Sequence, residues 1–471
     1  MQDISRLKDF VFSRQQTASW HMQSLTSLQA CLNLALDTLR KEIDSSQLPP
    51  LSQQSSVAHP LDDPTTYLPS TGLFDARRLS LACLGELKNL IQSPLDKIMD
   101  ERFTVYGVAC TDTLIKTGII DYLSDVPNPS QGVPAAELAS KFELDSRKIV
   151  PILRCCAASG WVRETRDSSF ALNRCARTFI EGNAGRRLNF SMPGFMSIIE
   201  TIPHWVAESD WKLSRSPDQT AFQIAFKTPL VAFSWIMENP DVLVPIAEHL
   251  QVFGDMSTPS IVADYPWEQL QTPVIVDCGG GEGGLVSSIL DAHPSFRAIV
   301  QDMENVVALT SSIMEDRRPR DVANGVLKVE SHDLFQPQPR IGNEYSFILR
   351  HIMHDWPDKE ALSALGPKSK ILIIDMVAVP NVDSTATSVQ SLVHDSRAKG
   401  PDYRIPSHFG SASKIVSGSS VHMMTLINGC ERSLREWEKL IKGCGLRITN
   451  IYPLRAHTSI IECALDTRAL L

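Results

Sequence analysis

Apolar residues recur at helical spacing over residues 25–43, LTSLQACLNLALDTLRKEI, and again over 75–91, so both stretches predict amphipathic helices. The segment between them, SSQLPPLSQQSSVAHPLDDPTTYLPSTG, is rich in Pro and Ser, lacks a period and reads as an extended or mobile linker. Over 103–182 three helical patterns precede two short β-like runs, GWVRET and SSFALN, which is the outline of a winged helix. Residues 188–270 are again helical and rich in aromatic residues and methionine. From Pro273 onward the rhythm changes. Short apolar runs (VIV, FRAIVQ, VLKVE, YSFILR, KILIIDMVAV) alternate with helical stretches, as in an α/β fold with a parallel sheet. LRITNIYPL and HTSIIECAL close the chain as an antiparallel pair at a sheet edge. Residues 380–420 are polar and read as a long surface excursion, with order returning at VHMMTLINGC. The boundaries expected from these changes are 1–98 for the N-terminal helices and linker, 99–187 for a winged-helix dimerisation domain, and 188–471 for a helical substrate-covering segment with the catalytic domain.

Composition narrows the function classes. At 471 residues with 43% hydrophobic and 21% charged positions, the chain is an ordinary globular protein of two or three domains. Its net charge of −9 gives no general attraction to nucleic acid or anionic membrane. Residues 100–180 carry equal numbers of basic and acidic side chains, so the winged-helix region lacks the basic face that phosphate contacts need. Its Ile149, Ile152, Leu153 and Cys156 form a core-facing stripe, which favours a dimerisation or substrate-covering role. Neither a membrane-length apolar run nor a secretory apolar core is present at the N-terminus, and a cytoplasmic location is expected. The ten cysteines include no CxxC pair, so reduced thiols are expected and structural zinc is not.

The chemistry collects at strand ends. PVIVDCGGGEGG, residues 273–284, is a buried strand closed by an acid and followed by five glycines in six positions. Such a turn lets a ligand approach the backbone closely, and the next helix offers its free N–H groups. Gly279, Gly281 and Gly284 also fit G-x-G-x-x-G, a weak signal alone. Asp302 ends the second strand, where a carboxylate accepts hydrogen bonds from the ribose of an adenosine cofactor, or instead caps the next helix. Asp333 follows the third strand, His351 and His354 the fourth, and Asp375 lies near the end of the fifth, the sheet edge where open α/β folds bind ligands. Most of the apolar residues of the helical segment 188–270 are read as core, and a minority, Phe222, Phe253 and Met256, are candidates to line an apolar pocket.

VDCGGGEGG, the acid ending strand two, HDWPD, and MMTLINGCERSLREWEKLIKGCGL together resemble a class I S-adenosylmethionine-dependent O-methyltransferase of the plant caffeate and fungal secondary-metabolite type, over roughly residues 75–465. The resemblance implies a seven-stranded Rossmann-like sheet with its last strand antiparallel, behind an N-terminal helical and winged-helix region that forms a homodimer. It implies that Gly279, Gly280 and Gly281 hold the methionine end of S-adenosyl-L-methionine, Asp302 the ribose, and Asp333 and Leu334 the adenine, with Arg350 a basic residue nearby. His354 would be the general base, with Asp375 and Glu431 its two acids, and Met424 and Asn428 would line the acceptor pocket. The acceptor expected is a flat aromatic hydroxyl compound.

A base is needed because a phenol with a pKa near 10 is ionised in only about one molecule in a thousand at neutral pH. An imidazole removes that proton as the oxygen attacks the methyl group, with no metal and no covalent enzyme intermediate. His351 competes with His354 on chemistry alone. Asp375 stands where many members have glutamate, and the DKEALSALGPKSK connection between strands four and five is short for the family. Two other readings stay open at this level: a catalytically silent partner subunit on the same fold, and an NAD-dependent oxidoreductase using the same glycines and Asp302.

Overall fold

The computed structural model of the chain describes residues 24–55, 57–190, 194–355, 368–379 and 409–466. These fall into two compact units, one made of the chain up to residue 191 with 245–253, the other of 192–244 with 254 onward.

In the first unit, helices Leu25–Ser45 and Thr71–Ile91 each start at a serine whose side chain accepts a hydrogen bond from the first turn. The segment joining them is not the mobile linker its composition suggests. His59 is buried, shares a reciprocal cap with Asp62 and reaches the Pro49 carbonyl at 2.8 Å. Leu61 packs with Ile43 and Leu73. Its prolines and serines serve as turn and cap residues, a use that composition does not distinguish from disorder. Pro94–Lys116, Ile119–Ser124, Ala135–Lys141 and Ser146–Ala158 follow, with strands β1 (Val133–Pro134), β2 (Val162–Arg166) and β3 (Ser169–Leu172) in a small antiparallel sheet of order β1-β3-β2. This part of the chain has helices before a small antiparallel sheet, the element order read from the sequence. Ile149, Leu153 and Cys156 are buried in its core with Leu114, Ile120 and Phe170, and Ile152 is packed against that core.

The second unit carries the larger sheet: β4 (Val274–Cys278), β5 (Arg297–Asp302), β6 (Leu327–Ser331), β7 (Tyr345–Arg350), β8 (Ile371–Ala378), β9 (Arg432–Ser433), β10 (Leu446–Pro453) and β11 (Thr458–Leu465). Its order is β10-β11-β8-β7-β4-β5-β6, with the two-residue β9 paired to β8. β4 to β8 run parallel, and β11 is antiparallel to both neighbours, giving the expected seven-stranded path with a reversed last strand. Alternation along the strands divides the core. Ile275, Ile348, Leu372 and Ile374 face one side, while Val276, Phe347, Leu349, Ile371 and Ile373 face the other. The chain leaves β4 toward β5 and β6, then returns to place β7 on the opposite side of β4. A crevice therefore opens beyond the carboxyl ends of β4 and β7.

The helix before the NGCER motif starts at Lys414, inside the stretch expected to be a surface excursion, and runs to Ile427. Residues 380–408, and most of the β7 to β8 connection (356–367), lie outside the described residues. No helix among the described residues is long and apolar enough to cross a membrane.

Candidate active site

The glycine turn lies on one side of the crevice. Gly279, Gly281 and Gly283 have positive φ, and Gly283 rather than Gly284 caps the following helix Gly284–Ala292. Gly280 is needed for another reason: a Cβ there would lie 2.9 Å from both the Asp277 carboxyl and Val300. Asp302 holds the turn from β5, its Oδ2 accepting from the Gly281 N–H at 2.9 Å and its Oδ1 from Met303 N–H at 2.8 Å. Two of its roughly four acceptor positions are thereby used. Asp277, at the end of β4, is buried, and its Oδ2 has no hydrogen-bond partner. Burial pushes its carboxyl up to about 6, against the pull of the Arg350 charge. Asp333 caps its own turn through the Phe335 N–H, leaving Leu334 and Phe335 exposed beside it.

On the other side, β7 runs into a 3₁₀ turn, Met353–Asp355, that carries His354. The NGCER segment folds around this turn. Asn428 ends its helix in the left-handed conformation, and Gly429 passes so close that a Cβ would overlap the His354 carbonyl oxygen. Cys430 N–H then donates to that same oxygen at 3.0 Å, and Arg432 Nη1 donates to the Met353 carbonyl at 2.5 Å. Glu431 is thus delivered to the imidazole: His354 Nδ1 lies 3.0 Å from Glu431 Oε1, which also accepts from Ser419 Oγ at 2.7 Å. Nε2, the opposite ring nitrogen, lies 3.3 Å from Asp355 Oδ1. Burial alone would lower the His354 pKa, but the Glu431 hydrogen bond and the charges of Asp375, Asp355 and Glu431 outweigh it and raise the imidazole to about 9. In this state the ring is an imidazolium between two carboxylates.

Asp375 departs from its expected place. It is fully buried on β8, with neither oxygen hydrogen-bonded, and its nearest histidine nitrogen is His351 Nδ1 at 3.8 Å. Asp355 stands closer to the His354 ring, while the Asp375 charge acts on that ring from farther away. Burial pushes Asp375 up to about 8 despite the nearby His354. His351, with a left-handed φ of 54°, lies beside His354 with ring centroids 5.6 Å apart. Its own pKa is held well below the ordinary value by burial and by the charges of His354 and Arg350.

Other expected residues divide between site and scaffold. Arg350 is tied to the Gly254 carbonyl and to Thr258 Oγ1. Phe222 does not line a pocket: it is fully buried, stacked on Phe226 at 4.6 Å and edge-on to Trp235. Asn428 is also structural, its Nδ2 donating to the Ser216 carbonyl at 2.6 Å while its backbone turns the helix end. Met424 packs half-buried against the aromatic cluster around Phe222, and Met256 is half-buried two residues before the Thr258 that binds Arg350. Phe253 belongs to the first unit. Sequence reasoning missed Asp277, Asp355 and Gly429 as site residues. The first two stand inside the VDCGGG and HDW motifs and were legible there, whereas the need for Gly429 arises only from a chain segment some 75 residues away.

The profile of the O-methyltransferase domain family matches residues 205–447, a little over half of the chain. The O-methyltransferase tpcA of Aspergillus fumigatus is 25% identical over 441 residues, covering 84% of this chain and 88% of its own. Among solved structures, LepI in complex with SAM aligns at 22% identity with a TM-score of 0.65, covering 83% of this chain and 94% of LepI. The O-methyltransferase NcsB1 from neocarzinostatin biosynthesis, bound to S-adenosyl-L-homocysteine and 1,4-dihydroxy-2-naphthoic acid, aligns at 20% identity with a TM-score of 0.54, covering 76% of this chain and 95% of its own. Glycine turn, strand-end acids and family match converge: the chain belongs to the O-methyltransferase domain family and is a class I S-adenosylmethionine-dependent O-methyltransferase of the secondary-metabolite type.

Proposed function

We propose that the enzyme methylates a hydroxyl group of a flat aromatic compound, with His354 as the general base. The observation that carries this reading is the His354 imidazole, oriented through Nδ1 by Glu431 beside a glycine turn suited to the methyl donor. Asp277 fits the donor as well, since its buried, unpartnered Oδ2 offers a counter-charge to a cationic ligand. Gly279 to Gly281 would hold the methionine end, Asp302 the ribose through its remaining acceptor positions, and Asp333, Leu334 and Phe335 the adenine.

When bound, S-adenosylmethionine supplies an electrophilic methyl group on a sulfonium sulfur, which keeps the C–S electron pair as the acceptor oxygen takes the methyl. The proton leaves that oxygen for Nε2 of neutral His354, and Glu431 stabilises the imidazolium formed. Asp355 must yield its place at Nε2 to the acceptor hydroxyl. A sulfonium cation nearby lowers the imidazole pKa, so donor binding itself frees the base. Met256 and Met424 supply adaptable apolar surface for the acceptor. The aromatic acid bound by NcsB1 is consistent with such an acceptor.

We also propose a homodimer through the N-terminal helices. Thr71–Ile91 and Pro94–Lys116 expose Leu81, Leu84, Ile91, Leu95, Phe103 and Tyr106, each 49–76% accessible, an apolar surface of the sort that marks an interaction site. The function is tested by incubating the protein with labelled methyl donor and a panel of phenols, naphthols and hydroxylated polycyclic compounds. Label transfer to at least one ring hydroxyl is expected. Donor binding without transfer to any aromatic acceptor, together with transfer to an aliphatic alcohol or amine, would redirect the substrate class.

A further inference from the structure

We propose that His351, His354 and Asp375 form a binding site for a divalent transition-metal ion of the zinc type, and that the bound ion switches methyl transfer off. One ligating atom from each of these three residues lies within 4.8 Å of the others. Around a single zinc ion at 2.0–2.2 Å, tetrahedral ligand atoms are separated by about 3.4 Å, so rotations moving each atom by roughly 1 Å close the site. His351 Nδ1 and Asp375 Oδ1, at 3.8 Å, are already near that spacing.

Three further features point to a cation. Asp375 is fully buried and neither of its oxygens has a hydrogen-bond partner, a costly arrangement for a carboxylate that an ion would relieve. His354 has its Nδ1 committed to Glu431, the carboxylate–histidine arrangement that fixes a metal-ligating imidazole and leaves Nε2 for the ion. The Asp355 carboxyl, whose Oδ1 lies 3.3 Å from that Nε2, turns aside when the ion binds. His351 also takes a left-handed backbone conformation, a local cost of the sort that collects at functional sites.

Two imidazoles and one carboxylate select zinc or a similar first-row ion over magnesium or calcium, which prefer all-oxygen shells. Occupation of Nε2 removes the lone pair that would accept the acceptor's proton, so an ion bound here inhibits. The inhibition rests on the proposed role of His354, whereas the binding itself does not.

The test titrates metal-free, full-length protein with Zn2+ by calorimetry, and with Co2+ by visible absorption, for the wild type, His351→Ala and the near-isosteric Asp375→Asn. One ion per chain in the wild type is expected, with affinity lower by at least tenfold in both variants. Far-ultraviolet circular dichroism and retained donor binding verify that the variants are folded. Equal affinity in wild type and variants, no stoichiometric binding, or a thiolate charge-transfer band placing the ion on cysteine would each overturn the site. Stoichiometric zinc lost in both variants, with methyl transfer unaffected in the wild type, would overturn the switch and equally count against His354 as base.

Discussion

His354 is held between two carboxylates, and the pH dependence of the enzyme follows from that. Burial opposes its charge, but Glu431, Asp375 and Asp355 together raise its pKa to about 9, above the ordinary value of 6.5. A raised histidine contributes stability that is fully present below the unfolded pKa and is lost as pH rises through the folded one. The window is therefore about pH 6.5 to 9, and catalysis runs the other way because the base must be neutral. In the free enzyme kcat/KM should climb with pH toward about 9. Glu431→Gln removes a charge and the strongest hydrogen bond to the ring. It should move the midpoint of that rise to lower pH and reduce the plateau by at least about tenfold, since proton transfer to a positioned base contributes about 10²–10⁴-fold. A profile unchanged in midpoint would detach Glu431 from the base. Phe222, by contrast, is scaffold. Phe222→Ala should cost about 3–5 kcal/mol of stability by denaturant unfolding of the second unit, as for other buried aromatic truncations.

At the scale of elements, two turns make the site, and they differ in how much of them the sequence reveals. The glycine turn was legible because strand, acid and glycines are contiguous. Gly283 took the capping role only because the backbone sets which glycine needs positive φ. The β7 turn and the NGCER segment are far apart in sequence, and their fit depends on tertiary packing. Motif matching pointed to His354 and Glu431, while the approach of Asp355 Oδ1 to the ring depends on the backbone of the 3₁₀ turn, which no local pattern encodes. Phe222 packs in the core and Asn428 ends its helix, roles the sequence left open because an aromatic residue or an amide looks the same in sequence whether it faces ligand or core. Gly429→Ala tests the packed turn directly. Its Cβ would overlap the His354 carbonyl, so the turn must shift and methyl transfer should fall by at least about tenfold, on the scale that small misplacements of catalytic groups produce. Donor affinity, set by the glycine turn, should change little. Unaltered turnover would show that the His354 turn tolerates displacement.

For the whole molecule, the α/β class and the antiparallel closing pair followed from the pattern of the apolar runs, and the seven-stranded sheet with its reversed last strand from the family resemblance. The structure of the Pro/Ser-rich segment did not, because caps and turns use the same residues as linkers do. The exposed apolar surface on the N-terminal helices carries the proposed dimer. Sedimentation should give twice the mass of one chain, and Phe103→Glu with Tyr106→Glu should yield a monomer, since two buried like charges oppose closure of a symmetric interface. A wild-type monomer at micromolar concentration would refute it.

The measurement closest to the central claim compares wild type with His354→Gln in two assays on the same preparations: calorimetric binding of S-adenosylmethionine and steady-state methyl transfer to an accepted aromatic substrate. Donor affinity within about threefold of wild type, with kcat lower by at least about 10²-fold, is the predicted result. Full turnover in the variant at neutral pH would contradict His354 as the base, and absence of saturable donor binding in the wild type would contradict the account of the glycine turn.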